Sequence, residues 1–162
     1  MLRENSVVMD FYAVCIIHEL GHLLAIFVTG GKIKSVVFSG TGVVITPEKN
    51  SPHELFVLLF GPSANLAVFI IFNIIGIGKT FRLLNLGTAL YNLLPYRQLD
   101  GGSALALLTD GSPHERTINT VLTCMKIMFS VFLLGVSVFC GRDFVPLFLV
   151  SLILFVSERG LP

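Results

Sequence analysis

Long apolar stretches alternate with short polar ones along this chain, and the alternation predicts its elements. Five apolar segments are long enough, or nearly long enough, for a helix to cross about 30 Å of hydrocarbon, which takes about 20 residues. They cover residues 7–29, 53–77, 81–94, 117–140 and 144–157. The third and fifth are short, so they would begin in the interface or be partly re-entrant. The pattern therefore predicts an all-α membrane bundle with about five transmembrane segments.

The stretch 31–47, between the first two segments, has a different pattern. Val, Ile and Phe cluster on both sides of Ser39-Gly40-Thr41-Gly42, and β-branched runs split by a Gly-rich turn are typical of a hairpin. We expect a small membrane-associated β-hairpin here. In the later loop 95–116, glycines and a proline punctuate a short helix over 103–109.

The composition indicates whether the chain is surrounded by water or by lipid. The chain has 162 residues, of which 54% are hydrophobic and 13% are charged, against about a quarter charged in soluble domains. We therefore expect an integral, multi-pass protein in a lipid bilayer. A net charge of +1 without a Lys/Arg cluster argues against a nucleic-acid partner. The cysteines Cys15, Cys124 and Cys140 form no CxxC pair and lie in apolar runs, which favours thiols buried in the membrane over a disulfide or metal ligands.

The basic residues of the loops slightly favour a cytosolic location for the hairpin side of the membrane. That side carries six and the opposite side four, namely Lys32, Lys34, Lys49, Arg97, Arg116 and Arg159 against Arg3, Lys79, Arg82 and Arg142. Lys126 falls inside the fourth apolar segment, and the sequence names no partner for it.

The motif HELGH at 18–22 places two histidines and a glutamate inside an apolar segment. Ionisable groups at bilayer depth are costly, so they are rarely accidental. Residues four apart share one helix face, so His18 and His22 can direct ring nitrogens at one ion, with Glu19 beside it as a general base. A catalytic zinc site has three protein ligands and leaves the fourth position open. A third ligand is therefore expected elsewhere.

Asp100 stands out among the remaining His, Cys, Asp and Glu residues. It follows a segment in which Asn85, Thr88 and Asn92 form a polar stripe at helical spacing. Pro95 ends that helix, and the glycines after Asp100 let the backbone approach a neighbour. The alternative is that Asp100 only caps the short helix after it.

Three motifs occur in order, HELGH at 18–22, GPSAN at 61–65, and NLLP at 92–95 leading to DGG at 100–102. On these residues the chain resembles the site-2 protease family of intramembrane zinc metalloproteases. It is most similar to the compact sporulation-protease (SpoIVFB-like) branch. The resemblance implies that His18, His22 and Asp100 bind Zn²⁺ and that Glu19 is catalytic. It also implies one polytopic domain over 1–162, with a three-helix catalytic core and hairpin over 7–102 and C-terminal helices over 103–162.

The middle motif also has a plain packing interpretation, because Gly61 and Ala64 let another helix approach. We interpret Asn65 as structural support and Asn92 as the donor that stabilises the oxyanion of the substrate carbonyl. Three features depart from the family pattern. Only six residues precede the first apolar segment, no nucleotide-binding domain is expected after 162, and the run 96–98 is more polar than usual.

The sequence thus predicts a zinc metalloendopeptidase of the bacterial cell membrane that cleaves a transmembrane or membrane-associated regulatory protein. A helical substrate must be unwound, and a strand edge of the hairpin could hold it extended; the alternative is that the hairpin only plugs the core. A catalytically silent relative that binds membrane clients is the second interpretation of the whole chain. A zinc transporter would need a polar path, which the apolar second half lacks. The oligomeric state is unknown.

Overall fold

The computed structural model describes residues 2–31, 33–39, 42–47, 53–140 and 145–159. These residues form two compact units, Met1–Leu94 and Pro95–Pro162. The elements in chain order are α1 (Leu2–Val28), β1 (Ile33–Ser39), β2 (Gly42–Pro47), α2 (Glu54–Ile75), α3 (Lys79–Asn92), α4 (Asp100–Thr109), α5 (Glu115–Cys140) and α6 (Val145–Arg159).

Helix α1 buries one stripe and exposes the rest of its apolar surface. The buried positions recur every three or four residues, which is the spacing of one helix face, and they are Val14, His18, Gly21, His22, Ala25 and Ile26. Large side chains such as Phe27 and Ile16 point away from the unit, with 82% and 54% of their surface exposed. The exposed apolar surface suits a hydrocarbon solvent, and the buried stripe carries the polar residues.

The buried stripe of α1 packs against α2 where Gly21 of α1 meets Gly61 of α2. A Cβ added to Gly21 would lie 2.8 Å from the Phe60 carbonyl oxygen and 2.9 Å from Ala64 Cβ. Only glycine therefore allows this approach of the two helices. Below the crossing, Ala25, Ile26 and Val57 form a small apolar core with Phe60 packed on it.

Helix α3 packs on both α1 and α2. A short connection with two left-handed glycines, Gly76 at φ 79° and Gly78 at φ 62°, ends α2 and begins α3. Left-handed backbone conformations are nearly free of steric cost only for glycine. The Gly76 amide donates to the Phe72 carbonyl at 3.0 Å, which satisfies the end of α2.

Strands β1 and β2 pair antiparallel, with Val36 opposite Ile45 and Ser39 opposite Gly42. The register shifts between Ile33 and Ser35, and β2 packs against α1. The turn residues 40 and 41 lie outside the described residues. A role for this edge in holding a substrate stays a prediction.

The second unit contains α4, α5 and α6. Tyr96 is buried, and its hydroxyl shares a hydrogen bond of 2.8 Å with the Ser151 hydroxyl, which shares another of 2.7 Å with Ser130. Gly102 lies flush against the backbone of Tyr96, so that a Cβ there would overlap the Tyr96 carbonyl group. The glycine after Asp100 is thus required for the close turn between Tyr96 and α4.

The predicted fold class is wrong in its number of transmembrane segments. In the described part of the chain, three helical stretches are long and apolar enough to cross a membrane, Val7–Val28, Glu54–Ile75 and Glu115–Val136. Helices α3 and α6 have 14 and 15 residues, about 21 and 22 Å at 1.5 Å per residue, whereas the hydrocarbon is about 30 Å thick. The all-α bundle of about five spans is therefore corrected to three candidate spans with shorter helices and a strand pair. Three such helices fit a membrane protein.

Candidate metal centre

His18 and His22 form a compact pair on the buried stripe of α1. Each side chain is only 6% exposed, and the two rings meet edge to face with centroids 4.8 Å apart. Their Nε2 atoms are 3.2 Å apart. The structure therefore brings together the two histidines that the HELGH spacing predicts on one face.

The protonation of His18 follows from a chain of amide hydrogen bonds. Asn65 Nδ2 donates to the Val14 carbonyl at 3.1 Å, and because a carbonyl can only accept, this bond sets the orientation of the amide. Asn65 Oδ1 then lies 2.9 Å from His18 Nδ1. Since an amide oxygen only accepts, Nδ1 carries the proton and donates it, and Nε2 has the lone pair.

Asn85 extends this network on α3. Its Nδ2 donates to the Phe81 carbonyl at 2.9 Å, and its Oδ1 accepts from Asn65 Nδ2 at 2.9 Å. Asn65 and Asn85 are both 0% exposed, so each amide depends on these bonds for its hydrogen-bonding capacity. All three helices of the first unit thus contribute to the orientation of one imidazole.

His22 is oriented by backbone rather than by a side chain. Its Nδ1 donates to the Val57 carbonyl of α2 at 2.8 Å. His22 therefore also has its proton on Nδ1 and its lone pair on Nε2.

The donor set fits a zinc ion. Two neutral imidazoles present Nε2 lone pairs to one point, with Nδ1 held by an oxygen acceptor, as ligating histidines do. Tetrahedral ligands at Zn–N distances of about 2.0–2.1 Å lie about 3.3–3.4 Å from each other, close to the 3.2 Å observed between the two Nε2 atoms. The pair is spaced like one edge of a zinc tetrahedron.

Gly61 makes room for this pair. A Cβ built on Gly61 would overlap the His22 imidazole at Nε2 and Cε1. Gly61 of the GPSAN segment therefore leaves space for the ring of His22, a metal-ligand candidate. Ala64 of the same segment lies against Gly21, where the two helices cross. Packing and ligand placement are both served by this segment.

The other predicted site residues lie as follows. Glu19 is half-buried on α1, next to His18. Asn92 is half-buried at the end of α3, and its Nδ2 donates to the Thr88 carbonyl at 3.1 Å. Asp100 is half-buried in the second unit, as the first residue of α4. Leu99 is the N-cap of that helix, so Asp100 is not the capping residue that the alternative assumed.

The catalytic role of Glu19 and Asn92 and the ligation by Asp100 stay predictions at this point. Among the cysteines, Cys15 is half-buried and Cys124 is exposed, and both have free thiols. The side chain of Cys140 lies outside the described residues.

The sequence interpretation missed three contributors. The sequence predicts a supporting role for Asn65 without naming its partner, and in the structure its amide oxygen orients His18. The Val57 carbonyl has no sequence signal, because every residue has one. The sequence places Asn85 on the polar stripe of α3 but does not identify its partner. The only signal for it is its helical spacing from Thr88 and Asn92.

Comparison with known proteins gives one similarity of note. No protein-family model matches the chain. In an alignment 108 residues long that covers 58% of this chain, the chain is 33% identical to the protein named "Putative zinc metalloprotease sll0528" of Synechocystis sp. (strain ATCC 27184 / PCC 6803 / Kazusa). The match covers 28% of that protein, so most of the relative has no counterpart in the aligned region.

Proposed function

We propose that this chain is a zinc metalloendopeptidase of the site-2 protease type, which cleaves a transmembrane or membrane-associated regulatory protein in a bacterial cell membrane. The observation that carries the proposal is the buried His18–His22 pair, with Nε2 atoms 3.2 Å apart and each Nδ1 donating to an oxygen. The name of the Synechocystis relative, a putative zinc metalloprotease, supports both zinc and peptide hydrolysis. The three long apolar helices support the membrane location.

His18 and His22 would hold the zinc ion through Nε2. We assign the third ligand to Asp100 because the DGG segment follows NLLP in the order that the family resemblance implies. Zinc, when bound, supplies a Lewis acid that polarises the scissile carbonyl. A carboxylate beside two neutral imidazoles also leaves one position open, as in catalytic sites.

Glu19 is assigned as the general base. It follows His18 directly on α1 and is half-buried, so its carboxylate lies on the same turn as the ligands without having to be one of them. It would take a proton from the attacking water and return it to the leaving amine. Asn92 donates one amide hydrogen to the Thr88 carbonyl. Its second amide hydrogen could form a hydrogen bond to the oxyanion.

The test compares Glu19→Gln with the parent chain, both purified and reconstituted in liposomes with a mixture of quenched-fluorescent single-span peptides. Glutamine keeps the size of the side chain but cannot act as a base. We expect zinc content to remain and hydrolysis to fall by about 10²- to 10⁴-fold, as measured by elemental analysis and peptide fluorescence. Cleavage by the variant at the parental rate would overturn the proposed mechanism.

Asp100→Asn separates a ligand from a base in the same assay. A neutral amide is a poorer zinc ligand than a carboxylate, so this variant should lose zinc together with activity, unlike Glu19→Gln. Unchanged zinc content would remove Asp100 from the ligand set. A parent chain that binds the peptides but cleaves none would favour the silent relative over the protease.

A further inference from the structure

The second unit contains a cavity that the proposed protease chemistry does not use. It has a volume of about 250 Å³. Residues from α4, α5, α6 and the loop before α4 line it, among them Arg97, Thr109, Asn119, Thr123, Lys126 and Phe155. None of the described residues that line it is acidic, and two are cationic. The cavity therefore favours an anionic occupant.

Lys126 is the main positive charge in this cavity. It lies on α5 within the candidate span Glu115–Val136 and is only 7% exposed. Its ammonium nitrogen is 5.6 Å from the centre of the Tyr96 ring, a cation–π contact that offsets part of the cost of burial. A cationic side chain inside a span commonly faces a binding site or a polar path.

Lys126 lies halfway along the candidate span Glu115–Val136, and its side chain covers part of the distance to the start of α5. Glu115 begins α5, so Asn119 lies about 6 Å and Lys126 about 16 Å along the helix axis. Side chains tilt towards the N-terminus of their helix, and lysine extends its charge towards the membrane surface. Asn119, Thr123 and Lys126 share one helix face and all line the cavity, so its α5 wall extends from near the start of the helix to the level of Lys126.

The remaining polar groups add acceptors and donors. The hydroxyls of Thr109 and Thr123 donate to the backbone carbonyls of Leu105 and Asn119, each at 2.8 Å. Their oxygens can therefore accept from a hydroxyl of the occupant, while the Asn119 amide can donate. Arg97 is exposed and pairs with Asp110, whose Oδ1 lies 2.8 Å from Nη2, whereas Lys126 is the buried cation of the cavity wall.

Leu122 and Phe155 give the same cavity an apolar wall. An occupant with a phosphate, hydroxyl groups and an apolar part matches both surfaces. Basic pockets between transmembrane helices are known to take lipid headgroups. We propose that this cavity binds the phosphate headgroup of an anionic membrane lipid, with the Lys126 ammonium contacting the phosphate.

The experiment measures lipid binding to the full chain in detergent micelles by native mass spectrometry. The probes are phosphatidylglycerol and phosphatidylcholine with the same acyl chains, and inorganic phosphate at equal concentration. We expect the parent to prefer phosphatidylglycerol. Lys126→Gln should weaken that binding about fivefold or more, since a basic residue contributes about that factor towards an anionic lipid. Lys126→Arg keeps the charge and should retain the preference.

Two further variants keep the test decisive. Asn119→Asp keeps the size of the side chain and adds a negative charge to the half-buried wall of the cavity, so it should also weaken phosphatidylglycerol binding. If Lys126→Gln fails to fold, unchanged phosphatidylglycerol binding by Asn119→Asp would overturn the proposal. Lys79→Gln removes an exposed lysine at the start of α3 and should change the binding less than twofold.

Equal binding of both lipids by the parent would overturn the proposal. So would parental affinity for phosphatidylglycerol in folded Lys126→Gln. Lys126-dependent binding of inorganic phosphate, without any preference for phosphatidylglycerol, would assign the cavity to a free anion and overturn the lipid as its occupant.

Discussion

At the scale of single residues, the bond from His18 to Asn65 does two things. It holds the imidazole in one orientation, and it fixes the proton on Nδ1, because Asn65 Oδ1 is an acceptor whose orientation is set by the Val14 carbonyl. Outer hydrogen-bond partners of this kind also raise the basicity of a ligating histidine. Asn65 is therefore a positioning residue for the metal centre.

Asn65→Ala should weaken zinc binding about 10- to 100-fold, which is the usual effect of removing such a partner. The measurement is competition for zinc with a chelating dye, using purified protein. Ser63→Ala is the matched control, since Ser63 lies on the same helix with an exposed hydroxyl bonded to the Leu59 carbonyl. Equal zinc affinity of folded Asn65→Ala and the parent would contradict the positioning role.

At the scale of elements, the crossing of α1 and α2 decides whether the metal centre can form. Gly21 and Gly61 face each other across it, with Gly61 Cα 3.0 Å from a Cβ built on Gly21. The close approach brings the Val57 carbonyl and the Asn65 amide within reach of the two rings. A side chain at either glycine would separate the helices and remove both hydrogen-bond partners.

Gly61→Ala tests this at the ligand side, because its Cβ would overlap the His22 imidazole. We expect zinc affinity to fall and the free energy of unfolding to decrease by about 1–3 kcal/mol from overpacking. The control is Gly87→Ala on α3, where an added Cβ meets nothing within 4 Å. That variant should keep its zinc affinity and gain up to about 1 kcal/mol from helix propensity.

The two glycine variants are compared by chelator competition and by denaturant titration. If Gly61→Ala and Gly87→Ala behaved alike in both measurements, the requirement for glycine at the crossing would be disproved.

At the scale of the whole molecule, the proposed zinc site predicts a link between metal binding and stability, because an ion that binds only the folded chain stabilises it. When free zinc is at 100 times its dissociation constant, removing it with EDTA lowers the free energy of unfolding by about 2.7 kcal/mol. For a chain of 162 residues this corresponds to a fall in Tm of about 5–10 °C. Scanning calorimetry or dye-based melting measures it.

His22→Ala provides the control for this measurement, since it lacks one of the two nitrogen ligands before any chelator is added. The Tm of His22→Ala should respond little to EDTA. Adding zinc back after chelation should raise the Tm of the parent but not that of the variant. A parental Tm that EDTA leaves unchanged would rule out a structural contribution of bound metal.

Local sequence pattern determined the elements and the identity of the histidine pair. The apolar segments and the spacing of His18 and His22 depend on neighbours within one or two helical turns, so periodicity alone reveals them. The prediction of about five spans went wrong for α3 and α6. Both helices have about the length of the short apolar segments that predict them, 81–94 and 144–157, and 14 or 15 residues of helix are shorter than the hydrocarbon is thick. The glycine turn at 76–78 and the cap at Leu93 restrict α3 to 14 residues.

Only the tertiary structure decided how the pair is oriented and protonated. The acceptors of the two Nδ1 protons come from α2, 47 residues after His18 and 35 after His22, and one of them is a backbone carbonyl that no residue type signals. A hydrogen-bond partner is specified by the crossing of two helices in space, and that crossing depends on Gly21, Gly61 and Ala64 together. Sequence pattern names the ligand candidates, whereas helix packing determines which ring nitrogen each presents.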